Sequence, residues 1–188
     1  PIQGTYQIRL DANESYISLP GELRRQIGEA VAALPLNRYP DPLSRKVNEA
    51  FAAYYGLNPD CITSGNGSDE LISIITSCFL ESGDTIVTLE HDFSMYAFYS
   101  SLYELKVEVC PKRQDLTIDV DRLIAFCKEC KPDVLCMVDN CYGEFVETQE
   151  PTNVGADMVV GSLIKNLGGG LAPTGGYVCG RKECIERC

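Results

Sequence analysis

The sequence predicts an α/β protein with three layers, in which a mostly parallel sheet lies between two layers of helices. Segments with strand-like and helix-like patterns alternate along the chain, which is typical of parallel strands joined by crossover helices. Several strand-like segments, such as residues 133–140, are apolar almost throughout, as expected of strands covered on both faces. The 188 residues are enough for one domain with a core and short for two. We therefore predict a single domain over residues 1–188.

Helical periodicity, with apolar residues three or four positions apart, recurs in five segments. In the first segment Leu23, Ile27 and Val31 fall on one face, and Pro20 suits the start of a helix. In the second, Gly56 stands where a helix C-cap is expected. The predicted helices cover residues 19–34, 43–56, 68–80, 92–103 and 119–130.

Six short segments rich in β-branched and other apolar residues predict strands. They cover residues 61–65, 84–90, 106–111, 133–140, 156–162 and 175–180. Ligands of open α/β sheets bind at the carboxyl ends of the strands. Functional residues are therefore expected at four strand tips, namely residues 64–69, 90–96, 139–142 and 161–165.

The composition is that of an ordinary soluble protein, with 45% apolar and 23% charged residues. The net charge of −11 argues against binding to nucleic acid or to anionic membranes, and no apolar run is long enough for a membrane span. The N-terminal residues lack the apolar core of an export signal. We therefore predict a cytoplasmic protein whose ten cysteines are reduced thiols. Cys127 and Cys130 form an isolated C-x-x-C motif, which is weak support for a metal or redox role, and no metal site is predicted.

The stretch "SGNGSDE" (residues 64–70) joins a predicted strand to a predicted helix. Gly65 and Gly67 allow a tight turn, and the N–H groups that open the helix suit a phosphate. Ser68 could add a hydroxyl donor. The alternative is an ordinary strand–helix turn with Ser68 as the N-cap.

Two further strand tips carry reactive side chains. Asp139 ends a buried strand, and a carboxylate there is costly to bury without a cationic or donor partner; Tyr142 follows it, and a turn-capping aspartate is the alternative. Ser162 and Lys165 follow the next strand, and Lys165 has apolar residues before it and a glycine run after it. A buried lysine has a lowered pKa and becomes a nucleophile for carbonyls, whereas a surface lysine is the alternative.

Taken together, these residues match the requirements of pyridoxal 5'-phosphate. This cofactor requires a lysine for its aldehyde, a carboxylate for its pyridine nitrogen, donors for its phosphate and a flat apolar cover. Each motif alone is weak, but the ordered set favours a pyridoxal-phosphate site.

With these motifs in view, the chain resembles the fold-type I pyridoxal-phosphate enzymes, which include aspartate aminotransferase. Residues 9–132 resemble histidinol-phosphate aminotransferase and its relatives, through the motifs "RLDANES", "NRYPDP", "GNGSDELI" and "DFSMY". Residues 133–181 are more similar to the cystathionine-lyase-like branch, known as aluminium-resistance or methionine gamma-lyase-related proteins, through "VDNCYGEFVE", "EPTNVGADMVVGSLIKN" and "GGGLAPTGGYVCGR". We therefore expect the large-domain core of this fold, composed of a 1–132 and a 133–188 segment.

The resemblance implies catalytic roles for three residues. Lys165 resembles the Schiff-base lysine, which also moves the proton between substrate and cofactor. Asp139 resembles the partner of the pyridine nitrogen, and Tyr142 the hydroxyl beside the phenolic oxygen. Phe93 occupies the position of the aromatic that stacks on the ring, and Asn13 lies in the segment that borders the substrate.

The resemblance also implies a phosphate site and a dimer. Gly67, Ser68, Asp69 and Ser162 resemble the residues that bind the cofactor phosphate. Tyr39 resembles a tyrosine that reaches the phosphate of the neighbouring subunit, which implies a homodimer. His91 and the tyrosines at helical spacing after Phe93, including Tyr96, are interpreted as loop and packing residues.

The chain departs from the aminotransferase pattern in three places. It lacks the Asn-Pro-x-x-Gly segment before Asp139, "NLGGG" replaces an arginine after Lys165, and the chain ends at Cys188 without the C-terminal domain that carries the carboxylate-binding arginine. The expected function is an aminotransferase for an amino acid or amino-alcohol phosphate, a small-molecule amino substrate. The alternatives are a carbon–sulfur lyase that performs β- or γ-elimination, and a truncated or engineered cofactor-binding scaffold without turnover.

Overall fold

The structure, a computed structural model, describes residues 17–166 and 174–188. Its α-helices are α1 (Gly21–Ala32), α2 (Arg45–Tyr55), α3 (Ser68–Phe79), α4 (Ser94–Leu102), α5 (Val120–Cys130) and α6 (Lys182–Ile185). Its strands are β1 (Ile62–Gly65), β2 (Thr85–Leu89), β3 (Lys106–Cys110), β4 (Met137–Asp139), β5 (Met158–Ser162) and β6 (Gly176–Gly180). All five predicted helices and six predicted strands are therefore present, and α6 was not predicted.

Local chemistry explains where these elements begin and end. The Asp119 carboxylate accepts a hydrogen bond from the Arg122 N–H at 3.0 Å and caps the start of α5. Gly56 ends α2 with a φ of 68°, a left-handed conformation that glycine adopts without steric cost. Strand β4 is shorter than the predicted 133–140, because the Val134 N–H bonds to the Lys131 carbonyl at 2.9 Å. That turn delays the start of the strand.

The strands form a four-stranded sheet in the order β1-β6-β5-β4 and a separate parallel pair, β2 and β3. Strands β1, β5 and β4 all run in the same direction, whereas β6 is antiparallel to both of its neighbours. The predicted mostly parallel arrangement is confirmed, with β6 as the exception.

The four-stranded sheet is covered on both faces. On one face, Leu71 of α3 packs in the buried core with Val160 and Val178. On the other, the ring of Tyr177 packs against Phe51 of α2, with 5.1 Å between the ring centroids. Successive residues of a strand point to opposite faces, so Val178 and Tyr177 place α3 and α2 on opposite sides. This confirms the three-layer α/β/α architecture.

Topology brings the chemically interesting strand ends together. Ser162 at the end of β5 pairs with Gly176 at the start of β6, and Gly176 pairs with Gly65 at the end of β1. Asp139 ends the parallel neighbour β4. One edge of the sheet therefore carries the segments that follow β1, β4 and β5. Within the described residues, no helix is long and apolar enough to cross a membrane.

Candidate active site

Asp139 at the end of β4 is held by two donors. The Tyr96 hydroxyl donates to its Oδ2 at 2.9 Å, and the Cys141 N–H donates to its Oδ1 at 3.1 Å. Hydrogen bonds to a carboxylate are stronger than neutral ones and offset the cost of removing the charge from water. The second lone pair of each oxygen stays available to another donor.

Tyr96 belongs to the site, which corrects its interpretation as a packing residue. Its side chain is 7% exposed. Burial, together with the adjacent Asp139 carboxylate, raises the pKa of the Tyr96 hydroxyl far above its usual range, so the group stays protonated and donates. Tyr96 lies one helical turn after Phe93, and this spacing is the one sequence feature that could have indicated its place in the site. The aspartate that it contacts is 43 residues away in the sequence.

Lys165 meets Tyr142 across the same edge. The Lys165 ammonium donates to the Tyr142 hydroxyl at 3.0 Å and lies 4.5 Å from the centroid of the same ring. The next residue, Asn166, donates from Nδ2 to the backbone carbonyls of Tyr142 at 2.9 Å and Glu144 at 3.3 Å. The segment after β5 is therefore bound to the segment after β4 through side chains.

The pKa of Lys165 moves in the direction opposite to the expected one. Burial alone would lower it, but the hydrogen bond to Tyr142 and the nearby Cys141 and Asp139 groups raise the pKa above the ordinary value. The lowering of the pKa by desolvation is smaller than the combined raising effects, because the Lys165 side chain is only half-buried. In this arrangement the Lys165 amine is protonated at neutral pH.

The turn between β1 and α3 leaves the start of α3 open. Gly67 is the N-cap with a φ of 97°, and no side chain caps the helix. Ser68 is the first helical residue and not the N-cap, so the alternative of a capping serine is wrong. A Cβ on Gly176 would lie 2.5 Å from the Ser68 nitrogen, so β6 passes directly against this turn. Uncapped N–H groups at a helix start favour an anion.

Cys141 connects this helix start to Asp139. Its thiol donates toward the Ser68 hydroxyl oxygen at 3.9 Å. Burial, with the neighbouring Asp139, raises the pKa of the Cys141 thiol to about 12, so the thiol stays protonated. Cys141 was not predicted as a site residue, because an isolated cysteine in a loop carries no recognisable pattern.

Three more of the predicted residues lie at the ends of elements near this group. Ser162 is buried at the end of β5, and its carbonyl accepts from the Lys165 N–H at 3.4 Å. Asp69 lies in the first turn of α3. Phe93 is the N-cap of α4, and its ring meets the Tyr96 ring edge-on, with 6.1 Å between the ring centroids.

One predicted residue is not joined to this group, and another cannot be placed in it. Tyr39 is fully exposed between α1 and α2, so within one chain it does not touch the other predicted residues. Asn13 lies outside the described residues.

Glu144 is a second residue that the sequence did not indicate. It is 3% exposed, and its Oε1 accepts from the Tyr177 hydroxyl at 2.8 Å. Its Oε2 is buried without a hydrogen-bond partner among the described residues. Burial raises the pKa of Glu144. A glutamate in a turn is normally exposed, so nothing in "YGEF" indicated this position.

Solved structures of known proteins share this architecture. The histidinol-phosphate aminotransferase from Sinorhizobium meliloti, solved in complex with pyridoxal-5'-phosphate, superposes with a TM-score of 0.77 at 18% identity, over 93% of this chain and 56% of that one. The chain has the fold of the fold-type I pyridoxal-phosphate enzymes. The aspartate aminotransferase from Thermotoga maritima superposes with a TM-score of 0.76 at 15% identity, over 96% of this chain and 60% of that one.

Sequence relatives support the first part of the predicted resemblance. The histidinol-phosphate aminotransferase of Clostridium novyi is 42% identical over 127 residues, which is 68% of this chain and 36% of that protein. The enzyme of the same name from Thermococcus gammatolerans is 36% identical over 149 residues, 79% of this chain and 43% of that protein. The chain thus spans less than half the length of these curated relatives.

The lysine-bearing part also matches the second branch. The methionine gamma-lyase family model matches residues 108–188, which includes the predicted second segment and begins earlier in the chain. A proposed cystathionine beta-lyase involved in aluminium resistance, from Listeria monocytogenes, superposes with a TM-score of 0.63 at 25% identity, over 79% of this chain and 48% of that one. The predicted two-part resemblance is confirmed.

Proposed function

We propose that this chain belongs to a pyridoxal-phosphate-dependent aminotransferase that acts on an amino acid or amino-alcohol phosphate. One observation carries the proposal. At one edge of the sheet, the Lys165 amine, the Tyr142 hydroxyl and the Asp139 carboxylate come together with the uncapped start of α3. The curated histidinol-phosphate aminotransferases that the chain matches support transfer as the reaction.

The residues present fit this cofactor. Asp139 offers a half-buried carboxylate to a protonated ring nitrogen, and Tyr142 offers a hydroxyl to a phenolic oxygen. The Ser68 and Asp69 N–H groups, the Ser68 hydroxyl and the Gly67 turn form the predicted phosphate site, to which Ser162 would contribute. Phe93, which is half-exposed beside Tyr96, would cover the ring.

The mechanism follows from the chemistry of these side chains. When bound, pyridoxal phosphate supplies an electron sink for the bonds of a substrate amino acid. Lys165 would hold the cofactor's aldehyde through its amine, and its Nζ, once neutral, would move the α-proton of the substrate. Asp139, oriented by its two donors, would accept a hydrogen bond from the protonated ring nitrogen. Tyr142, whose hydroxyl accepts from the Lys165 amine at 3.0 Å, would keep that amine oriented and would also offer its hydroxyl to the cofactor.

A carbon–sulfur lyase is the second candidate, and the match of residues 108–188 to the methionine gamma-lyase family favours it. The two reactions share proton removal by Lys165 and differ afterwards. A transferase requires a keto-acid acceptor, whereas a lyase releases ammonia and a keto acid without one.

Assembly and location complete the proposal. Tyr39, fully exposed in one chain, would reach the phosphate of a second copy in a homodimer. Residues 1–188 would form one cofactor-binding domain of a cytoplasmic protein, and Asn13 would border the amino substrate.

The test is a visible spectrum of the chain with pyridoxal phosphate, before and after borohydride. The chain is expected to become yellow, and borohydride is expected to attach the cofactor permanently to the peptide that contains Lys165. Lys165→Ala should lose both signals, and Lys131→Ala, at an exposed lysine, should keep them. Equal labelling of the Lys165→Ala variant would overturn the assignment. Amino acids added with and without 2-oxoglutarate then separate transfer from elimination, and bound cofactor without either product indicates a scaffold.

A further inference from the structure

Asn166 joins the two halves of the candidate site with one side chain. Its Nδ2 donates to the Tyr142 carbonyl at 2.9 Å and the Glu144 carbonyl at 3.3 Å. A side-chain amide has two N–H donors, so a single group can satisfy both acceptors. These bonds connect the residue after Lys165 to the residues on both sides of Gly143.

Among the described residues, Lys165 makes only one long backbone hydrogen bond. Its own N–H reaches the Ser162 carbonyl at 3.4 Å, near the limit for a hydrogen bond. A lysine side chain is flexible and carries its charge at the end of a long stem. A displacement of about 1 Å at a reacting group can cost about 100-fold in rate, so another anchor is required.

The segment that Asn166 binds is itself rigid. The Glu144 side chain is buried and bonded to Tyr177 of β6. The Gly143 N–H bonds to the Asn140 carbonyl at 3.2 Å, and a Cβ on Gly143 would lie 2.0 Å from the Asn140 Oδ1. Asn166 therefore attaches the lysine segment to a turn that is fixed to the sheet.

We propose that Asn166 is a positioning residue whose amide holds the Tyr142 hydroxyl against the Lys165 amine. The inference deepens the proposed function and rests on it for its catalytic consequence. The contact itself does not depend on the cofactor. Asn166 acts through Tyr142 and touches no reacting atom.

This role predicts a change in the Lys165 amine when Asn166 is removed. Within the described part of the chain, the titratable groups that act on the amine are Tyr142, Cys141 and Asp139. The Tyr142 hydrogen bond raises the pKa of Lys165, while burial lowers it. The two hydrogen bonds of the Asn166 amide are called the Asn166 clamp. If the clamp is lost, the hydrogen bond from Lys165 to Tyr142 weakens and the pKa of Lys165 falls. The fraction of neutral amine at a given pH then rises.

The experiment measures this amine without cofactor. The rate at which formaldehyde and cyanoborohydride methylate Lys165 is followed by peptide mass spectrometry between about pH 7 and pH 11, a range that includes the ordinary lysine pKa. Asn166→Ala and Asn166→Leu, neither of which can donate or adds a charge, should lower the midpoint by about one pH unit. Asn166→Gln keeps the donor and should restore part of the shift. Asn153→Ala, at an exposed asparagine, should leave the midpoint unchanged.

A second arm distinguishes positioning from general loosening. Tyr142→Phe should lower the midpoint as much as Asn166→Ala, and the double variant should shift no further. An unchanged midpoint in Asn166→Leu, or a further shift in the double variant, would overturn the inference. Borohydride attachment of pyridoxal phosphate is followed in parallel. If it fails in the parent while the midpoints shift as expected, the proposed function falls and the clamp stands.

Discussion

Tyr96→Phe is expected to destabilise the protein because it removes one charged hydrogen bond and little else. The ring stays, so the buried apolar area is nearly unchanged. The lost contact is the 2.9 Å bond from the Tyr96 hydroxyl to the Asp139 carboxylate. Asp139 keeps its second donor, the Cys141 N–H at 3.1 Å.

The structure sets the expected magnitude. A hydrogen bond to a charged group contributes about 1.5–3 kcal/mol, and a neutral one about 0.5–1.5 kcal/mol. Tyr96 is 7% exposed, so water cannot easily replace the lost partner. We therefore expect Tyr96→Phe to lower the free energy of unfolding by about 2 kcal/mol. In an Asp139→Asn background the bond is neutral, and the loss should fall to about 1 kcal/mol.

The parent, Tyr96→Phe, Asp139→Asn and the double variant form a double-mutant cycle. Urea denaturation of these four proteins measures the coupling between the Tyr96 and Asp139 side chains. Tyr103→Phe is the matched control, because its hydroxyl meets the neutral Ser73 hydroxyl at 3.2 Å. It should cost less than Tyr96→Phe and should not depend on Asp139. If Tyr96→Phe costs the same with and without the Asp139 charge, the account of a charged donor–acceptor pair is wrong.

The remaining predictions concern the sheet that supports the site. Gly161→Ala should destabilise by about 2 kcal/mol or more, because a Cβ there would lie 2.4 Å from the Tyr177 ring. Asp157→Asn should cost about 1.5–3 kcal/mol at pH 7, because the buried carboxylate accepts from Lys128 and Arg181, whose own side chains are partly exposed. Burial would raise the pKa of Asp157, but its donors lower it below the ordinary 3.8. Its stabilisation is therefore present above pH 3.8 and is lost as the pH falls through the folded pKa.

Chemical denaturation tests both variants. Gly28→Ala is the control for the glycine, because a Cβ at this position in α1 meets nothing within 4 Å; it should stabilise by about 0.5–1 kcal/mol. A tolerated Gly161→Ala would contradict the close approach of Tyr177. For Asp157→Asn, the parent and variant should converge in stability at acidic pH, and an equal difference at pH 3 and pH 7 would show that the charge is not responsible.

Much of the fold follows from local sequence patterns. Helical and strand periodicity are properties of a few neighbouring residues, which is why the helices, the strands and the order of the strand tips could be predicted. The predicted β4 was too long because the turn at Lys131–Val134 interrupts an apolar run, and periodicity cannot distinguish a strand from a short apolar turn. The direction of β6 was not predicted, since strand direction depends on the path of the whole chain.

Some residues of the candidate site could likewise be predicted from local sequence patterns, and others could not. Lys165, Asp139 and Ser68 could be selected because each lies at or just after the end of a strand, and the ends of strands that run in one direction meet at one edge. Tyr96, Cys141 and the buried Glu144 could not be selected. Their partners are Asp139, Ser68 and Tyr177, which lie 43, 73 and 33 residues away, respectively. Such pairs depend on strand order and register, which local patterns do not contain.

The sequence by itself determined the α/β class, the approximate positions of five helices and six strands, and which side chains are candidates for the site. Only the tertiary structure decided how those side chains are partnered. Lys165 illustrates the difference. Its apolar flanks led to an expected lowered pKa, yet the folded chain places Tyr142, Cys141 and Asp139 around the amine, and the pKa is raised. Desolvation of a lysine can be inferred from the apolar residues that flank it in the sequence. The charges and hydrogen bonds that oppose desolvation come from distant segments, which only folding brings into contact with the amine.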